Sequence, residues 1–121
     1  LLFYNISTEI ATCVRAVNIG NDPVGIRAHS NGNIYIGTQA NDRIVRVAAD
    51  GSDLTTVWNT NLAVINNPSA IAELPDSGDL LIASSATNSV ERITVTGTRV
   101  GSNPYIIDAL SLNITDMIII K

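Results

Sequence analysis

Short apolar runs that alternate with polar positions at a spacing of two occupy most of this chain, and Gly, Asn, Asp and Pro cut them at regular intervals. Asn33-Ile34-Tyr35-Ile36-Gly37 and Arg43-Ile44-Val45-Arg46-Val47 are typical, and they read as half-buried strands. Ser30-Asn31-Gly32-Asn33 before the first of them and Asp50-Gly51-Ser52-Asp53 after the second have turn chemistry, because Asn and Gly tolerate positive φ. No segment carries a 3.6-residue apolar period, so a helical solenoid is disfavoured.

The pattern repeats. Pro68 follows Pro23 by 45 residues, while Gly78 follows Gly32 and Gly97 follows Gly51 by 46. Asn88 follows Asn41 by 47, one residue out of step. Within one period four strands are expected, over Val24 to Ala28, Ile34 to Gly37, Arg43 to Val47 and Leu54 to Trp58. Four short antiparallel strands in a period of this size make a propeller blade. The competing reading is a β-sandwich with two similar hairpins.

The register continues beyond both copies. Asn113-Ile114-Thr115-Asp116-Met117 aligns with Asn67-Pro68-Ser69-Ala70-Ile71, and Leu1 to Ile6 with Ala11 to Val17 forms the outer half of a preceding blade. The fold class is therefore all-β: a partial β-propeller of four-stranded antiparallel blades, about 2.7 periods long, with two complete blades and parts of two others. The boundaries are 1–22 for the end of a blade, 23–67 and 68–113 for complete blades, and 114–121 for the start of a further one. Rings close at about four to eight blades, so the remaining blades come from a longer parent chain or from self-assembly. A start on Leu1-Leu2-Phe3-Tyr4 without Met fits an excerpt or a processed product.

The quoted residues, from Pro23-Val24-Gly25-Ile26 through Asn41-Asp42-Arg43-Ile44 to Asp50-Gly51, resemble an NHL-type repeat. The wider resemblance is to the superfamily of gluconolactonase-like and streptogramin-lyase-like propellers. It implies a ring of six to eight blades whose members bind proteins, RNA, sugars or small molecules, and in a minority catalyse. The second copy departs from it at Ser84-Ser85-Ala86-Thr87, and the third replaces its proline with Ile114.

Composition narrows the partners. Eleven acidic residues against seven basic ones give a net charge of −4 with no basic patch, which argues against nucleic acid. No window approaches 18 uninterrupted apolar residues, so no membrane span is expected. Cys13 is the single cysteine and reads as a small apolar strand residue. Scarce lysine, abundant Asn, Ser and Thr, and the triplets Asn5-Ile6-Ser7 and Asn113-Ile114-Thr115 lean toward a secreted, periplasmic or cell-surface protein.

Candidate chemistry is sparse. His29 reads as a lone, exposed turn histidine without a partner, too little for a lyase-like base. Asp50 with Asp53 and Asp76 with Asp79 put carboxylate pairs on turns where calcium could bind, although turn-forming Asp is the simpler account. The resemblance implies a channel metal held at blade starts in lactonase-like members, near which Asp22, Glu73 and Asp116 fall. No motif transfers that role, so no cofactor and no catalytic residue is assigned. Asn21, Asp22, Arg27, Asn66 and Asn67 are the expected binding residues on a blade face or channel. The function expected is a binding or scaffold module that presents propeller loops to a protein or small-molecule ligand. The alternatives are a segment of a lactonase- or lyase-like enzyme, and a structural subunit that assembles by strand addition.

Overall fold

The computed structural model describes residues 1–7, 10–58, 64–102, 104–107 and 117–119, with the backbone alone at 4–7, 10–14, 106 and 107. The Asn113 to Asp116 segment, with its glycosylation triplet, lies outside the described residues, as do the Asn5 and Cys13 side chains.

Three antiparallel sheets follow one another along the chain. Strands β1 (Leu2–Ser7) and β2 (Ile10–Ala16) form a two-stranded sheet. Strands β3 (Pro23–Ala28), β4 (Asn33–Thr38), β5 (Arg43–Ala48) and β6 (Thr55–Trp58) form the first four-stranded sheet in chain order. Strands β7 (Pro68–Glu73), β8 (Leu80–Ser84), β9 (Ser89–Ile93) and β10 (Ile106–Ile107) form the second. The one helical turn described is a 3-10 turn, Gln39–Asn41, between β4 and β5.

The repeat extends to the backbone dihedrals. Gly32, Gly51, Gly78 and Gly97 all have positive φ, at 80°, 80°, 71° and 87°. Asp22 and Asn67, directly before the two strand-opening prolines, are left-handed at 49° and 52°. The step at Asn41 and Asn88 also resolves: the left-handed residue of the first copy is Asp42 (48°), and it stands 46 residues before Asn88 (50°). Asp and Asn both accept this conformation, so the equivalent positions carry different residues and the repeat keeps its spacing of 46. Both β3 and β7 carry an irregularity just after their proline.

Register decides which side of each sheet is apolar. Ile34 and Ile36 of β4 with Val45 and Val47 of β5 face the β1–β2 hairpin, where Leu1, Phe3, Val17 and Ile19 meet them. Tyr35 and Ile44 project from the opposite face onto Ile71, Leu80, Ile82 and Ile93 of the second sheet. Ala72, Leu81 and Val90 on that sheet's far face receive Met117, where the repeat places the next inner strand. Each four-stranded sheet thus carries apolar residues on both of its sides, the arrangement that stacks sheets face to face.

Candidate functional site

The seam between the two four-stranded sheets is tied at both ends. At the end carrying the turns after β3 and β7, Ser30 donates its N–H to Glu73 Oε2 at 3.1 Å and its hydroxyl to Glu73 Oε1. His29 lies beside them, and its position corrects the sequence expectation, because it is only 8% exposed. Asn31 N–H donates to its Nδ1 (3.0 Å), so the ring proton is on Nε2, which donates to Gly78 O at 2.7 Å. Tyr35 meets the ring edge-to-face at 5.3 Å. The partners come from 43 and 49 residues away, distances no local pattern reveals. With one nitrogen accepting from backbone and the other donating to it, the ring is a brace between sheets.

Burial pushes the Glu73 carboxyl up, but the two bonds from Ser30, helped by the nearby Arg27 guanidinium, outweigh that and hold it below its ordinary 4.5. A depressed folded value stabilises the protein above the unfolded pKa, and that contribution disappears as pH falls through the folded one. Between about pH 5 and pH 3, the urea midpoint of the wild type is therefore expected to fall more steeply than that of Glu73→Gln. Parallel curves would show that Glu73 does not hold the seam.

At the opposite end lie four of the five expected binding residues. Asn21, Asp22 and Asn67 are exposed and Asn66 is half-buried. The backbone of Asp22 and Asn67 is tied in place: Asp22 O accepts from Gln39 N–H (2.9 Å), and Asn67 O accepts from Ser85 N–H (3.1 Å). Across the seam Asn67 N–H donates to Asp42 Oδ1 at 2.7 Å. Ser84 Oγ accepts from Asn66 N–H and donates to Asn66 O, both at 2.8 Å. Among the described residues none of these four side chains enters a hydrogen bond of its own. Arg27 is not with them. It sits near the far end of β3, about 16 Å along the strand from Asp22, exposed beside Glu73.

Between these ends β3 and β7 flank an open groove of about 350 Å³, lined by Val24, Gly25, Gln39, Ser69 and Ala70 among others. Its narrowness has a sequence cause: a Cβ on Gly25 would stand 2.9 Å from Ala70 Cα, so the strands meet backbone to backbone.

The turn carboxylates have other occupations. Ser52 donates its N–H (2.8 Å) and hydroxyl (2.5 Å) to Asp50, which holds that carboxyl below its ordinary 3.8. Asp53 pairs with Arg46 at 2.7 Å and Asp79 with Arg92 at 2.6 Å. Among the described residues no three of His, Cys, Asp and Glu converge as metal ligands. Glu73 stands at the end of β7, not at its start, so it is not placed as a blade-start ligand; Asp116 lies outside the described residues.

One buried charge was missed by sequence reading. Glu91, with its side chain 2% exposed, stands in β9 at the position Val45 holds in the first sheet, 46 residues earlier. Arg99 answers it, with Nη2 and Nε at 2.8 and 2.9 Å from Oε2. Ser89 Oγ lies 3.4 Å from Glu91 Oε1 and 2.8 Å from Thr87 Oγ1, and its single proton serves one of them at a time. Thr87 in turn donates to Ser84 Oγ at 2.6 Å, so a string of hydroxyls runs from Glu91 to Asn66. The only signal in the sequence was the acidic residue breaking an otherwise apolar column of the repeat.

Comparison with known proteins bears on the fold. A scan against protein-family models finds no match, and a search of curated proteins finds none either. Among solved structures, a catalytically inactive histidine-to-alanine form of virginiamycin B lyase from Staphylococcus aureus with quinupristin is similar at a TM-score of 0.65 and 22% identity. The alignment covers 93% of this chain and 36% of that one. The selenomethionine-substituted lyase from the same organism gives 0.64 and 22%, covering 91% and 36%. The chain is thus an all-β propeller segment that spans about a third of the length of these structures, and the likeness to streptogramin-lyase-like propellers holds at the level of fold. Among the described residues no helix is long and apolar enough to cross a membrane.

Proposed function

We propose that this propeller segment is a binding or scaffold module, and that it recognises its partner through the rim bearing Asn21, Asp22, Asn66 and Asn67. The observation that carries this reading is the contrast within Asp22, Asn66 and Asn67: backbone tied into the turns and across the seam, side-chain amides and carboxylate uncommitted among the described residues. Polar heads on a fixed backbone lose little freedom on binding, which is what makes such a surface selective. The opposite rim spends its polar groups on itself, through Ser30, His29 and Glu73. The partner is a protein or small polar molecule that offers hydrogen-bond donors and acceptors, and an extracellular or envelope setting suits such a surface. Fold likeness to a lyase supports the architecture of this reading and not a reaction.

The test is an NMR titration of the chain with a panel of short peptides and oligosaccharides. Shift changes are expected at residues 20–22, 39–42, 66–67 and 85–88. The variants Asp22→Asn and Asn67→Asp keep a left-handed residue in place while changing the charge, and each should weaken binding at least tenfold or alter which probe binds. Shifts confined to the Ser30 and Glu73 rim, or affinities unmoved in both variants, would refute the assignment.

A further inference from the structure

A pocket of about 350 Å³ opens beside β5 and β6, lined by Asn18, Gly20, Arg43, Val45, Leu54 and Thr56 among others. It holds a cation without an anion. No carboxylate pairs with Arg43 among the described residues, and its Nε is buried without an acceptor. Nη2 is the occupied nitrogen: the Asn41 amide, turned so that both of its atoms are satisfied, accepts from it at 3.2 Å. The chain also passes close over Nη2 at Gly20, where a Cβ would stand 3.1 Å away. A buried guanidinium N–H with no partner is costly, and an incoming acceptor relieves that cost.

The polar lining donates as well. Asn18 Oδ1 accepts from Gly20 N–H at 3.1 Å, which fixes the amide and leaves its Nδ2 as the group available to a ligand. Thr56 Oγ1 enters no hydrogen bond among the described residues.

The repeat supplies an independent observation. Ser89 and Glu91 stand 46 residues after Arg43 and Val45. Thr55 pairs with Arg46, and Val100 N–H donates to Arg92 O in the same way, so Leu54 is the counterpart of Arg99. The pocket is therefore the place where the second blade holds the Glu91 carboxylate against Arg99, at 2.8 Å. The first blade keeps a guanidinium there, carried on β5, and has valine where the carboxylate belongs.

From these we infer that the pocket binds a small aliphatic carboxylate, which takes the place that the Glu91 side chain fills in the second blade. Its oxygens accept from Arg43 Nε and Asn18 Nδ2, and its hydrocarbon part rests on Val45 and Leu54. A carboxylate suits the site better than a phosphate, because there is a single guanidinium and the neighbouring walls are apolar. The site goes beyond the rim reading and does not rest on it, since none of Asn21, Asp22, Asn66 and Asn67 lines the pocket.

The test titrates the chain with sodium isobutyrate at constant ionic strength, with isobutyramide and inorganic phosphate as parallel arms. Arg43 Nε–H and the backbone amides of Asn18, Val45 and Thr56 are followed by NMR. Saturable shifts with isobutyrate are expected, with none from the amide and weaker ones from phosphate. Arg43→Gln should weaken isobutyrate binding by about tenfold or more, as the loss of a charged hydrogen bond does. Val45→Glu copies the second blade, so it should abolish the isobutyrate shifts and keep the thermal midpoint within a few degrees of the wild type. Val47→Glu, at a fully buried position two residues on, should lower that midpoint sharply. If Arg43→Gln does not fold, Thr56→Asp replaces it: this exposed substitution brings a carboxylate of the chain to the pocket and should weaken binding equally. An equal response to isobutyramide, tighter binding of phosphate, or isobutyrate shifts confined to Asn21, Asp22 and Asn67 would overturn the inference. So would binding undiminished in Arg43→Gln or Thr56→Asp, or a loss of stability in Val45→Glu as large as that in Val47→Glu.

Discussion

Gly97→Ala is expected to be among the most damaging single substitutions in this chain, lowering stability by about 3–5 kcal/mol. Two costs coincide there. Gly97 sits at a φ of 87°, where an L side chain is strained, and a Cβ built on it overlaps Val57 O of the neighbouring blade. The obstacle is backbone within the outer strand β6, so no rotamer change relieves it, and the two blades must separate locally. Gly32→Ala provides the control: its φ is 80°, but nothing lies within 4 Å of the added methyl, so only the backbone term of about 1–2 kcal/mol applies. Urea unfolding of the two variants separates conformational strain from loss of blade contact. Equal midpoints would show that the Gly97 turn does not carry the contact.

Arg99→Ala is the second, with an expected loss of about 3–5 kcal/mol. It leaves the Glu91 carboxylate buried between blades with a single weak hydroxyl neighbour, since Arg99 supplies both of its close charged contacts. Removing the other partner behaves differently. Glu91→Val installs the residue that the first blade already uses at this position, while Arg99, 24% exposed, keeps its bond to Ser102 O and its access to water. That variant is expected within about 1 kcal/mol of the wild type, or above it. Thermal unfolding of both, and of the double variant, measures the asymmetry. Losses of similar size from either side would mean that the pair contributes through geometry and not through charge compensation.

The architecture was legible because it is written in local signals. Alternation at a spacing of two located strands β3, β4 and β5 to within a residue or so, and glycines at matching intervals marked turns that do carry positive φ. Leu54, expected in the last strand of the first blade, lies just outside β6, in the stretch that follows the left-handed Asp53. The candidate site was legible only in part. Asn21, Asp22, Asn66 and Asn67 fall together because they flank the two prolines, a relation visible along the chain. Arg27, expected like them on a blade face or channel, lies five residues of extended strand from Asp22 and so stands at the other end of β3. His29 was misread for a different reason: a turn position suggests exposure, and only the turn of the next repeat, with Gly78 and Glu73, encloses it. Glu91 was hidden for a third reason: its partner Arg99 is only eight residues on, but it comes back beside β9 through the turn at Gly97 and a bridge to Ile93.

Chains built from near-identical units risk associating one unit out of step, and such mispairing is a common route by which repeat proteins aggregate. The seam contacts of this propeller counter that risk. Ser30 finds a carboxylate only at Glu73, because the matching position of the first blade is Ala28. Asp42 meets the N–H of Asn67, whereas the equivalent residue Asp22 would bring a second carboxylate against it. A chain displaced by one repeat would therefore gain the same apolar contacts while leaving hydroxyl donors unmet and acidic groups opposed. The small polar differences between the copies thus act as an address for each blade, giving an otherwise interchangeable set of sheets one order in which to assemble.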